Sequence, residues 1–192
     1  MLKTVKQYYV WIIFAVAAAA QIWIPLHTVV ESYDIRATGR EFRIQTAPVD
    51  PADPFRGRYV AIDVSVDVPE RLQDKNLGNG VFYIRLTDGE DGFAKVLGAS
   101  ATPLIGEDVL KLDTGWSRRS SSLQLPFDRY YMAEKLAPEA ERIYRDASRR
   151  NDEELTAYVT IRVKNGRAVV SGMYIDGIRI EDYVRTYLRQ NQ

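Results

Sequence analysis

Ten consecutive residues alternate without a break: Val60, Ile62, Val64, Val66 and Val68 are apolar, and Tyr59, Ala61, Asp63, Ser65 and Asp67 stand between them. A period of two places each set on one face of an extended strand. Branched apolar side chains on a single face need a core to cover them, while the carboxylates opposite need water. The chain must therefore build a sheet with one covered and one open face, and a half-solvated sheet of this kind is normally antiparallel.

The surrounding sequence extends the pattern. Phe42 and Ile44 alternate with Arg43 and Gln45, a strand that ends at Pro48. Pro48, Pro51 and Pro54 each lack an amide donor and push the preceding residue to extended geometry, so "VDPADPF" is a structured loop. Asp50 and Asp53 are turn formers within it, and Gly57 launches the alternating strand. Phe82, Ile84 and Leu86 alternate with Tyr83, Arg85 and Thr87, and "DGEDG" at 88–92 turns the chain toward a partner strand near Phe93. "VLKLD" at 109–113 and "SLQLPF" at 122–127 are further short strands, and Asn165-Gly166 joins two apolar runs as a two-residue hairpin. A helix follows Pro138, with Ala140, Ile143, Tyr144 and Ala147 at helical spacing, and "EDYVRTYLRQ" suits a shorter helical tail. The expected fold is α+β: a mainly antiparallel β domain with one covering helix.

A different element precedes it. Tyr8 to Ile24 is a run of 17 residues without a charge, at the short end of what spans about 30 Å of hydrocarbon as a helix. Leu26 extends it slightly. Tyr8, Tyr9, Trp11 and Trp23 lie near its ends, where amphipathic rings suit the headgroups, and Lys3 and Lys6 mark the cytoplasmic side. The expected organisation is a cytoplasmic N-terminus at 1–7, a transmembrane anchor at 8–26, a polar connector at 27–32, and an extracytoplasmic β-rich domain at 33–192. Two alternatives are a cleaved signal peptide, for which "AAAAQ" offers small residues, and a buried soluble helix. Against cleavage, the run stays apolar through Ile22, Trp23 and Ile24.

Chemistry is sparse. Formal net charge is zero and no basic stripe stands out, which argues against nucleic acid as a partner. The chain has no cysteine, so disulfides and thiolate metal sites are excluded, and its single histidine, His27, lies at the outer end of the anchor. No cofactor motif is present. Asp113-Thr114-Gly115 resembles the triplet of aspartic proteases, but such catalysis needs two carboxylates and therefore a dimer. Asp113 is a weak catalytic candidate, and a polar turn explains it as well. A serine from "SRRSSS" at 117–122 activated by Lys95 or Lys111 is a second weak candidate. Asp50, Asp53, Asp63 and Asp67 could serve a hard cation, or could simply be solvated carboxylates on an open strand face.

The stretch "TGREFRIQTAPVDPADPFRGRYVAIDV" resembles the hallmark region of the GDYXXLXY family of membrane-anchored bacterial proteins. The residues that carry the likeness are Pro48, Val49, Asp50, Pro51, Arg56, Gly57, Arg58, Tyr59, Ile62 and Val64, together with Arg129, Tyr130 and Tyr131 of "LPFDRYYMAEKLAPEAERIY". Arg58 stands where the motif has aspartate, and Val64 where it has its second tyrosine. "GRAVVSGMYIDG" extends the likeness toward the C-terminus. The resemblance implies a single-pass protein of the bacterial inner membrane, of unknown biochemical activity, in a family often encoded beside a multi-span membrane protein. The expected function is a periplasmic binding or structural module whose partners are the lipid bilayer and a multi-span protein. The alternative is a membrane-tethered hydrolase of the Asp113 or Ser-Lys kind.

Overall fold

A computed structural model describes residues 2–48, 59–73, 77, 80–113, 121–149 and 157–190. The chain forms two units, Met1–Thr38 and Gly39–Gln192. The first is one helix, α1 (Leu2–Thr38), whose segment Trp11–Thr38 is long and apolar enough to cross a membrane. At 37 residues, α1 measures about 55 Å, well beyond the hydrocarbon thickness. The connector expected at 27–32 is thus helical, and the compact domain begins at Gly39 rather than near Tyr33. Polar residues do not end a helix by themselves. No glycine occurs before Gly39, and Thr28 and Thr38 return their hydroxyls to the carbonyls of Ile24 and Asp34, at 3.1 and 2.9 Å.

The second unit is a ten-stranded, mostly antiparallel sheet. Its strands are β1 (Arg40–Pro48), β2 (Tyr59–Asp67), β3 (Phe82–Asp88), β4 (Ala94–Ser100) and β5 (Val109–Leu112). They continue with β6 (Ser122–Gln124), β7 (Arg129–Tyr131), β8 (Ala157–Lys164), β9 (Arg167–Ile175) and β10 (Ile178–Arg179). The order is β10-β9-β8-β1-β2-β4-β3-β5, with β6 and β7 both pairing with β2. One pair is parallel, β2 with β4, and it meets at the single register Asp67 with Lys95. The Lys111 amide donates to the Gly166 carbonyl at 2.8 Å, which brings β5 against the β8–β9 turn, so the sheet curls back on itself.

That turn shows how local chemistry sets register. Asn165 and Gly166 have φ of 52° and 81°, the pair of positive values a type I′ hairpin requires. β8 and β9 accordingly pair from Lys164 with Arg167 to Ala157 with Ile175, with one bulge after Thr160.

Val60, Ile62, Val64 and Val66 join Phe42, Ile44, Phe82, Ile84, Leu86, Val159 and Ile161 in one buried cluster. Two helices cover this cluster where the sequence suggested one. On α3 (Ala137–Arg149), Ala137, Ala140, Ile143 and Tyr144 are buried at helical spacing, and α3 packs on β1, β2 and β8. On α4 (Ile180–Gln190), Ile180 and Val184 are buried, and this helix lies against β9, β10 and α3. A single turn, α2 (Glu70–Gln73), buries Leu72 after β2.

Candidate functional site

The two ends of the family motif can be placed, Pro48 on β1 and Tyr59 to Val64 on β2. Val49, Asp50, Pro51, Arg56, Gly57 and Arg58 lie outside the described residues, as do Asp53, Thr114 and Gly115; Pro48 closes β1 opposite Ile62. Tyr59, Ile62, Val64, Arg129, Tyr130 and Tyr131 are brought together, because β7 pairs antiparallel with the start of β2 in the register Tyr59 with Tyr131, Val60 with Tyr130 and Ala61 with Arg129. Residues directly opposite share a face, so the motif divides between two surfaces.

On the outer surface the Arg129 guanidinium lies over the Tyr59 ring, 5.0 Å from its centre, and its Nε is 3.2 Å from the Asp128 carboxylate. The Tyr59 and Tyr131 rings meet edge to face at 5.8 Å. A hydrogen bond with Tyr131, and then the Asp128 charge, hold the Arg129 guanidinium above the usual arginine range. Ala61, expected on the open face, is buried where β2 pairs with β7, in register with Arg129. On the inner surface Ile62 and Val64 enter the core, and the Tyr130 hydroxyl donates to Glu181 at 2.7 Å in the first turn of α4. Burial, then the neighbouring Glu181 carboxylate, raise the Tyr130 phenol. Tyr130 is thus a tie between β7 and α4, with Arg179 Nε 3.6 Å from the same carboxylate.

A second feature lies on the open face beside the single parallel contact of β2 with β4, a half-open cleft of about 220 Å³ between β1, β2 and the β3–β4 hairpin. Gln45 of β1, Ser65 and Asp67 of β2, and Asp91, Phe93 and Lys95 at the tip of the β3–β4 hairpin line it. The hairpin is shaped for this position. Asp91 accepts the Phe93 amide at 3.2 Å and the Gly89 amide bonds the Phe93 carbonyl at 2.8 Å, which fixes the turn. Lys95 then reaches back to Asp91 at 3.0 Å. The hydrogen bond between them holds Lys95 above the ordinary lysine range and Asp91 below the ordinary carboxylate range.

From Phe93 an aromatic series leads away across the sheet. The Phe93 and Tyr158 rings meet edge to face at 5.9 Å, and Tyr158 stacks on Tyr174 at 5.1 Å with planes 7° apart. Arg43 sits 5.8 Å from the Tyr158 ring centre. Gly172 makes room for the series, because a Cβ there would lie 2.8 Å from the Tyr174 ring.

Among the described residues, the catalytic candidates from sequence do not come together within one chain. Asp113 is exposed at the end of β5. Of the serines at 117–122, only 121 and 122 are described; the Ser121 carbonyl accepts the Val68 amide, and Ser122 pairs with Asp67 on the β2–β6 ladder. Ser65, which sequence reasoning passed over, does share the cleft with Lys95. A serine-activating lysine must be neutral near pH 7, and the Asp91 pair moves Lys95 the other way. Asp63 accepts the Gln124 amide at 3.2 Å and Asp67 faces the cleft; among the described residues no three His, Asp or Glu side chains converge to hold a metal. His27 lies within α1, its Nδ1 4.0 Å from Glu31. The cleft had no sequence signal beyond the outward alternation of Ser65 and Asp67, since the β2–β4 contact joins segments far apart in the chain.

No curated protein and no solved structure matches the chain. The GDYXXLXY protein family matches it over residues 21–173, from the helix through β9. That match takes in both the strand ladder that carries Tyr59 and Tyr131 and the cleft beside it, and the chain belongs to the GDYXXLXY protein family.

Proposed function

We propose that this protein is a membrane-anchored binding module, with its N-terminus in the cytoplasm of a bacterium and its β domain in the periplasm, working with a membrane-protein partner. The observation that carries the reading is the cleft beside the β2–β4 contact. It gathers hydrogen-bonding and charged groups from three strands in one concave site, and its Lys95–Asp91 pair, 3.0 Å apart, places both signs of charge at the rim.

The anchor supports the partner. Pro25 lies inside α1 and has no amide to offer the Gln21 carbonyl. One turn of the span thus carries both that carbonyl and the Gln21 side-chain amide, beside the small residues Ala17 to Ala20 that allow close helix approach. Lys3 and Lys6 support the orientation.

Two experiments test the proposal. A C-terminal alkaline phosphatase fusion should be active and a fluorescent reporter that matures only in the cytoplasm dark; the opposite pattern refutes the orientation. Photo-crosslinking from the anchor in native membranes should capture a specific multi-span protein, and Gln21→Leu should weaken capture by about 1 kcal/mol without affecting insertion. Recovery of lipid adducts alone refutes the partner.

A further inference from the structure

Resting on the reading of the cleft as a ligand site, we infer that it binds a small zwitterion of the amino-acid kind, its ammonium at Asp67 and its carboxylate at Arg43. The strands that carry these two residues part beside the cleft. β1 and β2 pair Pro48 with Ile62, Ala47 with Asp63 and Thr46 with Val64, and the pairing stops there. Toward Arg40, β1 follows β8, whereas β2 runs on to β6 and to its one contact with β4. Had the register continued, Gln45 would face Ser65, and Arg43 would face Asp67. Opposite charges directly across one face of a sheet normally close as a pair. Here they do not. Among the described residues, the side chains of Arg43, Gln45, Ser65 and Asp67 form no hydrogen bond or ion pair with one another or with a neighbour.

The other charges of the cleft are already spent. Lys95 and Asp91 answer each other at 3.0 Å, and the Asp67 charge adds to the pull on Lys95 only from farther away. The Arg43 guanidinium lies over the Tyr158 ring, 5.8 Å from its centre, a contact that restrains it and leaves its N–H donors unspent. One cation and one anion therefore stand on parted strands, with the Gln45 amide and the Ser65 hydroxyl between them. A ligand of a single sign leaves the opposite charge without a partner, whereas a zwitterion answers both. Its carboxylate matches the planar fork of Arg43 and the Gln45 amide, and its ammonium donors match the Asp67 carboxylate and the Ser65 hydroxyl. Size narrows the class. The cleft holds about 220 Å³, less than the roughly 300 Å³ at which pockets for drug-sized ligands begin. Phe93 in its lining gives an apolar side chain a surface to rest on.

The test is isothermal titration calorimetry on the full chain in nanodiscs of phosphatidylglycerol, whose headgroup carries no ammonium. The probes are L-phenylalanine and L-leucine. Phenethylamine and isopentylamine are the matching amines without the carboxylate, and hydrocinnamate and isocaproate the matching acids without the ammonium. At least one amino acid should bind saturably, about tenfold tighter than its amine or its acid. Asp67→Asn and Arg43→Gln should each weaken it about tenfold, with the melting temperature unchanged. Should either variant lower the melting temperature, the comparison of amino acid, amine and acid on the unaltered protein decides alone. Absence of saturable binding of either amino acid at millimolar concentration, binding no tighter than that of the amine or the acid, or binding indifferent to either substitution overturns the inference. An amine or acid that binds while neither amino acid does also overturns it, while leaving the binding-module reading in place. If no probe binds, the zwitterion fails, and the module reading then stands or falls on capture of a membrane partner.

Discussion

Tyr144 makes the fold's alkaline stability calculable. Its side chain is 2% exposed between α3 and the sheet, near Thr46 and Asp63. Burial pushes its phenol from the ordinary 10.0 up to about 12. In the unfolded chain the phenol ionises near pH 10, whereas in the folded protein it stays neutral for about two further units. Its contribution is therefore fully present below pH 10 and is lost as pH rises from 10 to 12. With each pKa unit worth about 1.36 kcal/mol, the loss is about 1.4 kcal/mol at pH 11 and approaches about 2.7 kcal/mol above pH 12. Other tyrosines and lysines titrate in the same range, so the quantity to measure is the difference between the protein and Tyr144→Phe, in which the shared groups cancel. Urea unfolding of both proteins at half-unit steps from pH 8 to 11.5 should show a constant difference below about pH 9. Above it, the curves should move in favour of Tyr144→Phe by about 1.4 kcal/mol at pH 11. Parallel curves across the whole range would refute the argument, since a buried phenol with a raised pKa cannot leave stability independent of pH there.

Ile62→Asp places a carboxylate in the buried cluster on the same face as Val60 and Val64, and should destabilise the domain by about 2 to 4 kcal/mol in thermal or urea unfolding; an unchanged melting temperature would show the face assignment to be wrong. Tyr130→Phe removes the 2.7 Å bond to Glu181 and should cost about 1.5 to 3 kcal/mol. Most of that cost should vanish in a Glu181→Ala background, which removes the acceptor, as read by a double-mutant cycle. Gly166→Val forces a branched side chain to φ of 81° at the hairpin, and should cost about 1 to 3 kcal/mol, whereas Asn165→Gly should be tolerated.

Strands, turns and the apolar span were legible in the sequence because each depends on neighbours a few residues away. The period of two from Tyr59 to Val68, the Asn165-Gly166 turn and the helical spacing of Ala140, Ile143 and Tyr144 all reappear in the fold. Departures have two sources. Ala61 is buried where the distant strand β7 pairs with β2, and the polar stretch after Leu26 stays helical because α1 continues through Pro25 to Thr38.

The site divides along the same line. Family likeness singled out Tyr59 and the Arg129-Tyr130-Tyr131 triplet as a set, but not that β7 would pair with β2 so that Tyr59, Arg129 and Tyr131 share one surface while Tyr130 turns inward to Glu181. The cleft required more still. Asp67 and Lys95 are ordinary charged residues on separate strands, and only the parallel contact that joins β2 to β4, and ends after one register, places them at the mouth of a gap. The sequence by itself determined which faces are apolar, where the chain turns and which segment can cross a bilayer, since periodicity and backbone preference act locally. The tertiary structure alone decided which open faces adjoin, because strand order is set by how the whole core is buried, and that is a property of no single segment.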